Sequence, residues 1–180
     1  MANWFCINKS GKTYNVVDGN NKRIGSIGPN EAFGFDRNYG GDFDARKTYD
    51  TSNDKRNYTG PDPMMAKEAY ALSELINTYK NKSGTKYFID IHGWTQQIIF
   101  AGDRENSPFV KAFYDHGFKS NSRDATLGGN GARGYVARYA LELGYQACLF
   151  EFPDDTIATN FNNGKYEDYF INSIKYLIEI

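Results

Sequence analysis

Two short stretches, KYFIDIHG at residues 86–93 and YQACLFEF at residues 145–152, carry the strongest strand signals of this sequence. Each is a mainly apolar run of eight residues, with the length and composition of a buried β-strand. Helical patterns lie before, between and after the two runs. Strands that alternate with helices indicate an α/β fold, and we expect a mixed sheet with helices on both faces.

The first helical pattern covers residues 64–80, where apolar side chains recur at helical spacing. The face that this spacing defines contains Met65, Ala69, Leu72, Ile76 and Tyr79. The remaining predicted elements are a strand at 98–102 and helices at 107–118, 134–144 and 166–180.

Residues 1–33 differ from the rest of the chain in their pattern of apolar and turn-forming residues. TYNVVDGNNKRIGSIGPNEAF at 13–33 alternates short apolar runs with Asp-Gly, Asn-Asn and Gly-Pro, which favour hairpins and turns. We predict two or three short strands there, in a segment that resembles part of a bacterial SH3-like module of the kind that accompanies cell-wall hydrolases. The second domain then covers 34–180, and its first thirty residues form a long loop without periodicity, which is usually functional.

The composition excludes several classes of partner. Lys and Arg number 21 against 22 Asp and Glu, so no basic excess is present to bind nucleic acid. No apolar window approaches the roughly eighteen residues of a membrane span, and the first residues lack the pattern of a signal peptide. We therefore expect a soluble chain. The two cysteines are too few for a disulfide framework, and Cys148 is expected to be a small buried hydrophobic residue.

Two polar side chains stand where the predicted strands end. His92 closes the first strand and Glu151 lies at the end of the second, just before Pro153. Catalytic groups of open α/β folds lie beyond the carboxyl ends of strands. An imidazole there can reach a metal ion, and a carboxylate within an apolar run suits general acid and base chemistry. The alternatives are a hydrogen-bonded structural His92 and a structural Glu151 paired with an arginine.

Four motifs in order carry a resemblance to a known family. They are GFDRNY at 34–39, YTGPDP at 58–63, FIDIHGWTQQIIF at 88–100, and GGNGARGYVARYALELGYQACLFEFP at 128–153. This order resembles the zinc carboxypeptidases, in which an Asn-Arg-Asn-Phe motif, a Tyr-x-Gly-Pro loop, a zinc-binding His and a catalytic Glu follow one another. The resemblance covers 34–180 and corresponds to the C-terminal half of that family's domain.

The resemblance implies a zinc cofactor and a role for each matching residue. His92 would be the third zinc ligand, and Glu151 would activate water and later protonate the leaving amine. Arg37, with Asn38 or Asp36, would hold the C-terminal carboxylate of the substrate through paired hydrogen bonds. The residue before Arg37 is Asp36 rather than the usual Asn.

Arg133 would line the pocket that selects the substrate's terminal side chain, and a basic residue there favours an acidic side chain such as those of cell-wall peptides. The alternative for Arg133 is a solvated position at a helix start. The family's mobile tyrosine would fall near Asp124.

The largest departure from the family lies upstream. Its His-x-x-Glu zinc motif has no counterpart, since residues 1–36 contain no histidine. His116, the other histidine, fits a helix and is expected to be a packed or surface residue. We expect either a truncated or internally deleted peptidase, or a natural non-catalytic relative, with an incomplete fold and zinc site.

Three functional hypotheses follow. The first is a metallocarboxypeptidase-like hydrolase, feeble or inactive, acting on peptides near a free C-terminus, including cell-wall peptides. The second is a binding module that holds a peptide carboxylate without cleaving it. The third is an unrelated α/β protein in which His92 and Glu151 are structural. Strand edges left uncovered predict self-association.

Overall fold

The computed structural model describes residues 12–17, 20–27, 39, 63–64, 67–102, 106–120, 125–127, 135–153 and 166–180. The chain forms two compact units, one of Met1–Gly84 with Ala132–Gly144 and one of Thr85–Gly131 with Tyr145–Ile180. In chain order the described elements are β1 (Tyr14–Val17), β2 (Arg23–Ile27), α1 (Lys67–Tyr79), β3 (Tyr87–Phe100), α2 (Pro108–Asp115), β4 (Ala125–Thr126), α3 (Val136–Glu142), β5 (Gln146–Pro153) and α4 (Glu167–Glu179).

In the first unit, β1 and β2 form the antiparallel hairpin that the turn residues predict, with Tyr14 opposite Ile27. Asn21, between the strands, has a φ of 63°, a left-handed conformation that Asn tolerates better than most residues. The SH3-like resemblance of this segment stays a prediction. The proposed domain boundary at Phe33 and Gly34 lies outside the described residues.

Helix α1 buries one side, and this side is rotated from the one predicted. Ala69 and Ile76 are buried as expected, but Tyr79 is 51% exposed and Ser73 takes a buried position instead. Ser73 can be buried because its hydroxyl donates a hydrogen bond to the Tyr70 carbonyl at 2.7 Å. Met65 lies outside the described residues.

Helices α1 and α3 of the first unit are joined by a polar contact. The side-chain amide of Asn77 donates to the Tyr139 hydroxyl at 2.7 Å, and it also donates to the Ser73 carbonyl at 3.0 Å. The Tyr139 ring stacks on the ring of Tyr39, with centroids 6.0 Å apart.

The sheet of the second unit is built on β3 and β5. The first part of β3 runs parallel to β5, from Tyr87 opposite Gln146 to Gly93 opposite Phe152. Gln96 then adopts a φ of 52°. Beyond Gln96 the chain runs back along β5, so that Gln97 lies opposite Glu151 and Phe100 lies opposite Cys148. The strands predicted at 86–93 and 98–102 are thus two legs of one reversing strand.

Strand β4 runs parallel to the second leg, with Ile99 opposite Ala125 and Phe100 opposite Thr126. Within the described residues, β3, β4 and β5 make a three-stranded mixed sheet. The predicted α/β class with a mixed sheet is therefore confirmed at this level.

One face of this sheet packs against α2 and α4. Phe113 of α2 stacks on Phe150 of β5 with ring centroids 4.4 Å apart, and Phe170 of α4 lies 5.6 Å from Phe150. The buried cluster consists of Ile98, Phe100, Phe109, Val110, Ala112, Phe113, Phe118, Cys148, Phe150, Phe152, Tyr166 and Leu177. Helices on the other face of the sheet stay a prediction.

Helix α2 begins where the sequence predicts. Ser107 caps it, because its hydroxyl accepts a hydrogen bond from the Val110 amide, and Pro108 fits the first turn, where no amide donor is needed. Among the described helices, none is long and apolar enough to cross a bilayer.

Candidate functional site

The sheet brings His92 and Glu151 side by side. The two residues are register partners in the parallel part of β3 and β5, so their backbones are neighbours at the ordinary strand spacing of about 4.8 Å. Side chains at partner positions of adjacent strands project from the same side of a sheet. The predicted pair of functional residues therefore shares one position of the sheet, although the two lie 59 positions apart in sequence.

Strand alternation decides which side carries the pair. Ile91 and Phe150, one position before His92 and Glu151, belong to the core under α2 and α4. Successive side chains of a strand point to opposite faces. His92 and Glu151 therefore project from the face opposite that aromatic core, and both are only partly buried.

Asp90 lies two positions before His92, on the same side of β3. Its Oδ1 is 2.9 Å from Nε2 of His92, and the two side chains are 0% and 14% exposed. This is the distance of an ion pair, although the contact lacks the regular angles of a hydrogen bond. Among the described residues, neither oxygen of Asp90 accepts a regular hydrogen bond from another group. The imidazole is thus the polar group placed to compensate this buried carboxylate.

A second polar residue, Gln97, also stands opposite Glu151. It follows the reversal of β3 at Gln96 and pairs with Glu151 in the descending register. Glu151 is consequently flanked in the sheet by His92 on one leg of β3 and by Gln97 on the other.

Cys148 is a buried hydrophobic residue, as predicted, with 0% exposure in the core cluster. Burial raises the pKa of its thiol well above the ordinary value, and the negative charge of Asp90 adds to that rise. The thiol is therefore held neutral and is unsuited to act as a nucleophile.

The second histidine is a packed residue, as predicted. Nδ1 of His116 lies 2.5 Å from the Ala112 carbonyl, and its ring centroid is 5.7 Å from that of Tyr176. It lies at the C-terminal end of α2 and takes no part in the pair formed by His92 and Glu151.

The predicted substrate-binding residues Arg37, Asn38 and Arg133 lie outside the described residues, as do Asp36 and Asp124. Their proposed roles therefore stay predictions.

The donor set for a metal is incomplete in the part of the chain that the structure describes. No group of three or more His, Cys, Asp or Glu side chains there could hold a metal ion. A catalytic zinc needs about three protein ligands, whereas the described site supplies the His92 imidazole and the nearby carboxylates of Asp90 and Glu151. The described residues do not by themselves fit a zinc ion.

Comparisons with known proteins identify no family. No protein-family model matches the chain, and no curated protein matches its sequence.

Sequence reasoning missed two members of this site, Asp90 and Gln97. Asp90 could have been found, because a charged residue within an apolar strand, at the same-side position two before His92, demands a partner. Gln97 carries no such signal, since its place opposite Glu151 depends on the reversal at Gln96.

Proposed function

We propose that this chain derives from the metallocarboxypeptidase lineage and acts as a peptidase on peptides near a free C-terminus, including cell-wall peptides, with an incomplete zinc site. The observation that carries the proposal is the parallel register of His92 and Glu151. An imidazole and a carboxylate at one end of adjacent parallel strands are the constellation that metal-assisted hydrolysis uses.

Glu151 would act first as the general base and then as the general acid of this reaction. Its carboxylate would accept a proton from a water molecule while the water oxygen bonds to the peptide carbonyl carbon. The same proton would pass to the amine nitrogen as the C–N bond breaks, which restores the carboxylate. Glu151 is only partly buried, so a substrate or a water molecule can approach its carboxylate.

Zinc is the cofactor that this lineage implies, and His92 is the residue of this site that would ligate it. Ligands beyond the described residues are required for a complete site, so catalysis by the chain as it stands would be feeble. Arg37 with Asn38 would bind the terminal carboxylate, and Arg133 would favour an acidic terminal side chain through a charge-assisted pair worth about 1.5–3 kcal/mol.

A binding module is the second candidate function. The donor set of the described residues, with one imidazole and no group of three ligands, favours a cleft that holds a peptide carboxylate without cleaving the peptide. The two candidates share the peptide terminus as ligand and differ in whether Glu151 performs chemistry.

Hydrolysis and binding assays on matched peptides test both. Peptides that end in Glu, Leu or Lys are compared with their C-terminally amidated forms, for release of the terminal residue and for binding by calorimetry. Under the peptidase proposal, release requires the free carboxylate and falls by at least about a hundredfold in Glu151→Gln. The control is Glu74→Gln. Glu74 is an exposed carboxylate on α1, so its substitution should leave the release of the terminal residue unchanged.

Each result assigns the function differently. Binding that prefers the free carboxylate, without release by the chain or its variants, supports the binding module instead. Equal binding of acid and amide forms, together with no release that depends on Glu151, overturns both candidates.

A further inference from the structure

Asp90 is a fully buried carboxylate that the proposed chemistry does not use. Its side chain is 0% exposed, and it lies between the apolar residues Ile89 and Ile91 of β3. Burying a carboxylate without a partner is strongly unfavourable, and the cost falls only when an N–H group or a positive charge faces it. We therefore expect an N–H group or a positive charge next to the Asp90 carboxylate.

His92 supplies that partner. Nε2 of His92 is 2.9 Å from Oδ1 of Asp90, and the two residues share one side of β3 because they are two positions apart. An ionised carboxylate can only accept hydrogen bonds, because it carries no hydrogen to donate. Facing an ionised Asp90, Nε2 carries the hydrogen, and in a neutral imidazole the lone pair then resides on Nδ1.

We infer that Asp90 is a positioning residue for His92, whose imidazole it orients through Nε2 so that Nδ1 is the lone-pair nitrogen at the site shared with Glu151. The inference deepens the proposed function and rests on it for the role of His92 as ligand or proton acceptor. Carboxylates that contact the far nitrogen of a functional histidine fix its tautomer and ring orientation in this way.

The chain is well suited to a direct test, because it contains only two histidines. Long-range ¹H–¹⁵N correlation spectra of the metal-free protein at pH 8, with chelator present, report which nitrogen of each imidazole bears the proton. His116→Gln removes one spin system and so assigns the other to His92. His116 is an internal contrast, since its contact with the Ala112 carbonyl is through Nδ1.

The expected spectrum shows His92 protonated on Nε2 alone, with that proton visible and slow to exchange with water. In Asp90→Ala the proton should exchange too fast to observe. Asp90→Asn keeps an acceptor oxygen in place and should retain the resonance, shifted because a neutral acceptor makes a weaker bond. Glu74→Ala, which removes an exposed carboxylate, should leave the His92 signals unchanged.

Two outcomes overturn the inference. The first is a wild-type His92 that carries its proton on Nδ1, or on both nitrogens, at pH 8; this result needs no variant and stands even if Asp90→Ala fails to fold. The second is an Asp90→Asn spectrum in which the tautomer has changed or the exchange rate matches that of a solvent-exposed imidazole. The peptide assays with Glu151→Gln are independent of this spectrum, so the proposed function and the role of Asp90 can fail separately.

Discussion

At the scale of single residues, Cys148 and Asp90 show how the sheet treats ionisable groups. Cys148 faces the aromatic core, where water is excluded and a thiolate would be costly. Asp90 is on the opposite side of neighbouring strand β3 and is compensated by His92. The same sheet thus buries one ionisable group among aromatic side chains and places the other within reach of a polar partner.

The buried thiol predicts a loss of stability in alkali. Burial raises the pKa of Cys148 above its ordinary value of 9.0, so the folded protein keeps a proton that the unfolded chain releases. The stability from this group is fully present below about pH 9 and is lost as the pH rises from there through the folded pKa. The slope that one such proton contributes is at most about 1.4 kcal/mol per pH unit.

Urea unfolding at pH 8 and pH 10 measures this slope. We expect the free energy of unfolding to fall less between the two values in Cys148→Ala than in the wild type. Identical slopes in the two proteins would show that Cys148 does not remain protonated in the folded state.

At the scale of elements, the reversal of β3 at Gln96 is the feature on which the site depends. Gln96 has a positive φ, and its side-chain amide donates to the Lys119 carbonyl at 2.5 Å while Ser120 donates to the Gln96 carbonyl at 3.2 Å. These contacts tie the turn to the segment after α2. The turn lets both legs of β3 pair with β5, so that His92 and Gln97 both stand opposite Glu151.

Substitutions at Gln96 test the turn. Gln96→Val should lower the free energy of unfolding by about 1–3 kcal/mol, because a β-branched residue is strained at positive φ and the bond to Lys119 is lost. Gln96→Gly loses the same bond but relieves the strain, so it should cost less than Gln96→Val. Thr95→Val, at an exposed neighbouring position, is the control and should change stability by less than about 0.5 kcal/mol. A Gly variant less stable than the Val variant in urea unfolding would contradict the role of backbone strain.

Helix α4 offers a matched pair for its packing. Leu177 is 2% exposed and belongs to the core cluster, whereas the next residue, Ile178, is 77% exposed. Leu177→Ala should cost about 2–5 kcal/mol, since it leaves a cavity against the sheet. Ile178→Ala should change the free energy of unfolding by less than about 0.5 kcal/mol. Chemical denaturation of both variants decides the matter, and comparable losses would mean that α4 packs through a different face.

At the scale of the whole molecule, the chain consists of two compact units, and the described site lies in the second. That site presents one imidazole and two carboxylates on strands β3 and β5. Even so, no group of three or more such side chains that could hold a metal ion occurs among the residues described.

We expect the purified chain to bind zinc weakly, with a dissociation constant above about 1 µM, because one imidazole with nearby carboxylates competes poorly with water and buffer. Equilibrium dialysis of the wild type, His92→Ala and the control His116→Gln measures this. A submicromolar site that His92→Ala leaves intact would reveal ligands that we have not recognised. A submicromolar site that His92→Ala abolishes would mean that residues outside the described ranges complete the donor set.

Local sequence patterns were enough to predict most of the element types. Periodicity and end signals located the described helices and the β1–β2 hairpin, because hydrophobic spacing and turn residues act over a few positions. Helix α2 is the clearest case, since the helix predicted at 107–118 is observed at Pro108–Asp115, directly after its cap Ser107. The two-residue strand β4 was not predicted, because a strand so short has no pattern of its own.

Which residues share a site depended on how the strands pair in the folded chain. The prediction that His92 and Glu151 both end strands was local, but their direct opposition depends on the register of β3 with β5. The contact of Asp90 with His92 and the position of Gln97 opposite Glu151 likewise required the strands in place. The register is specified by which side of each strand is buried, because a shift of one residue would move Phe150 and the other core residues of β5 out of the cluster under α2 and α4. That packing joins residues far apart in sequence, which no local pattern contains.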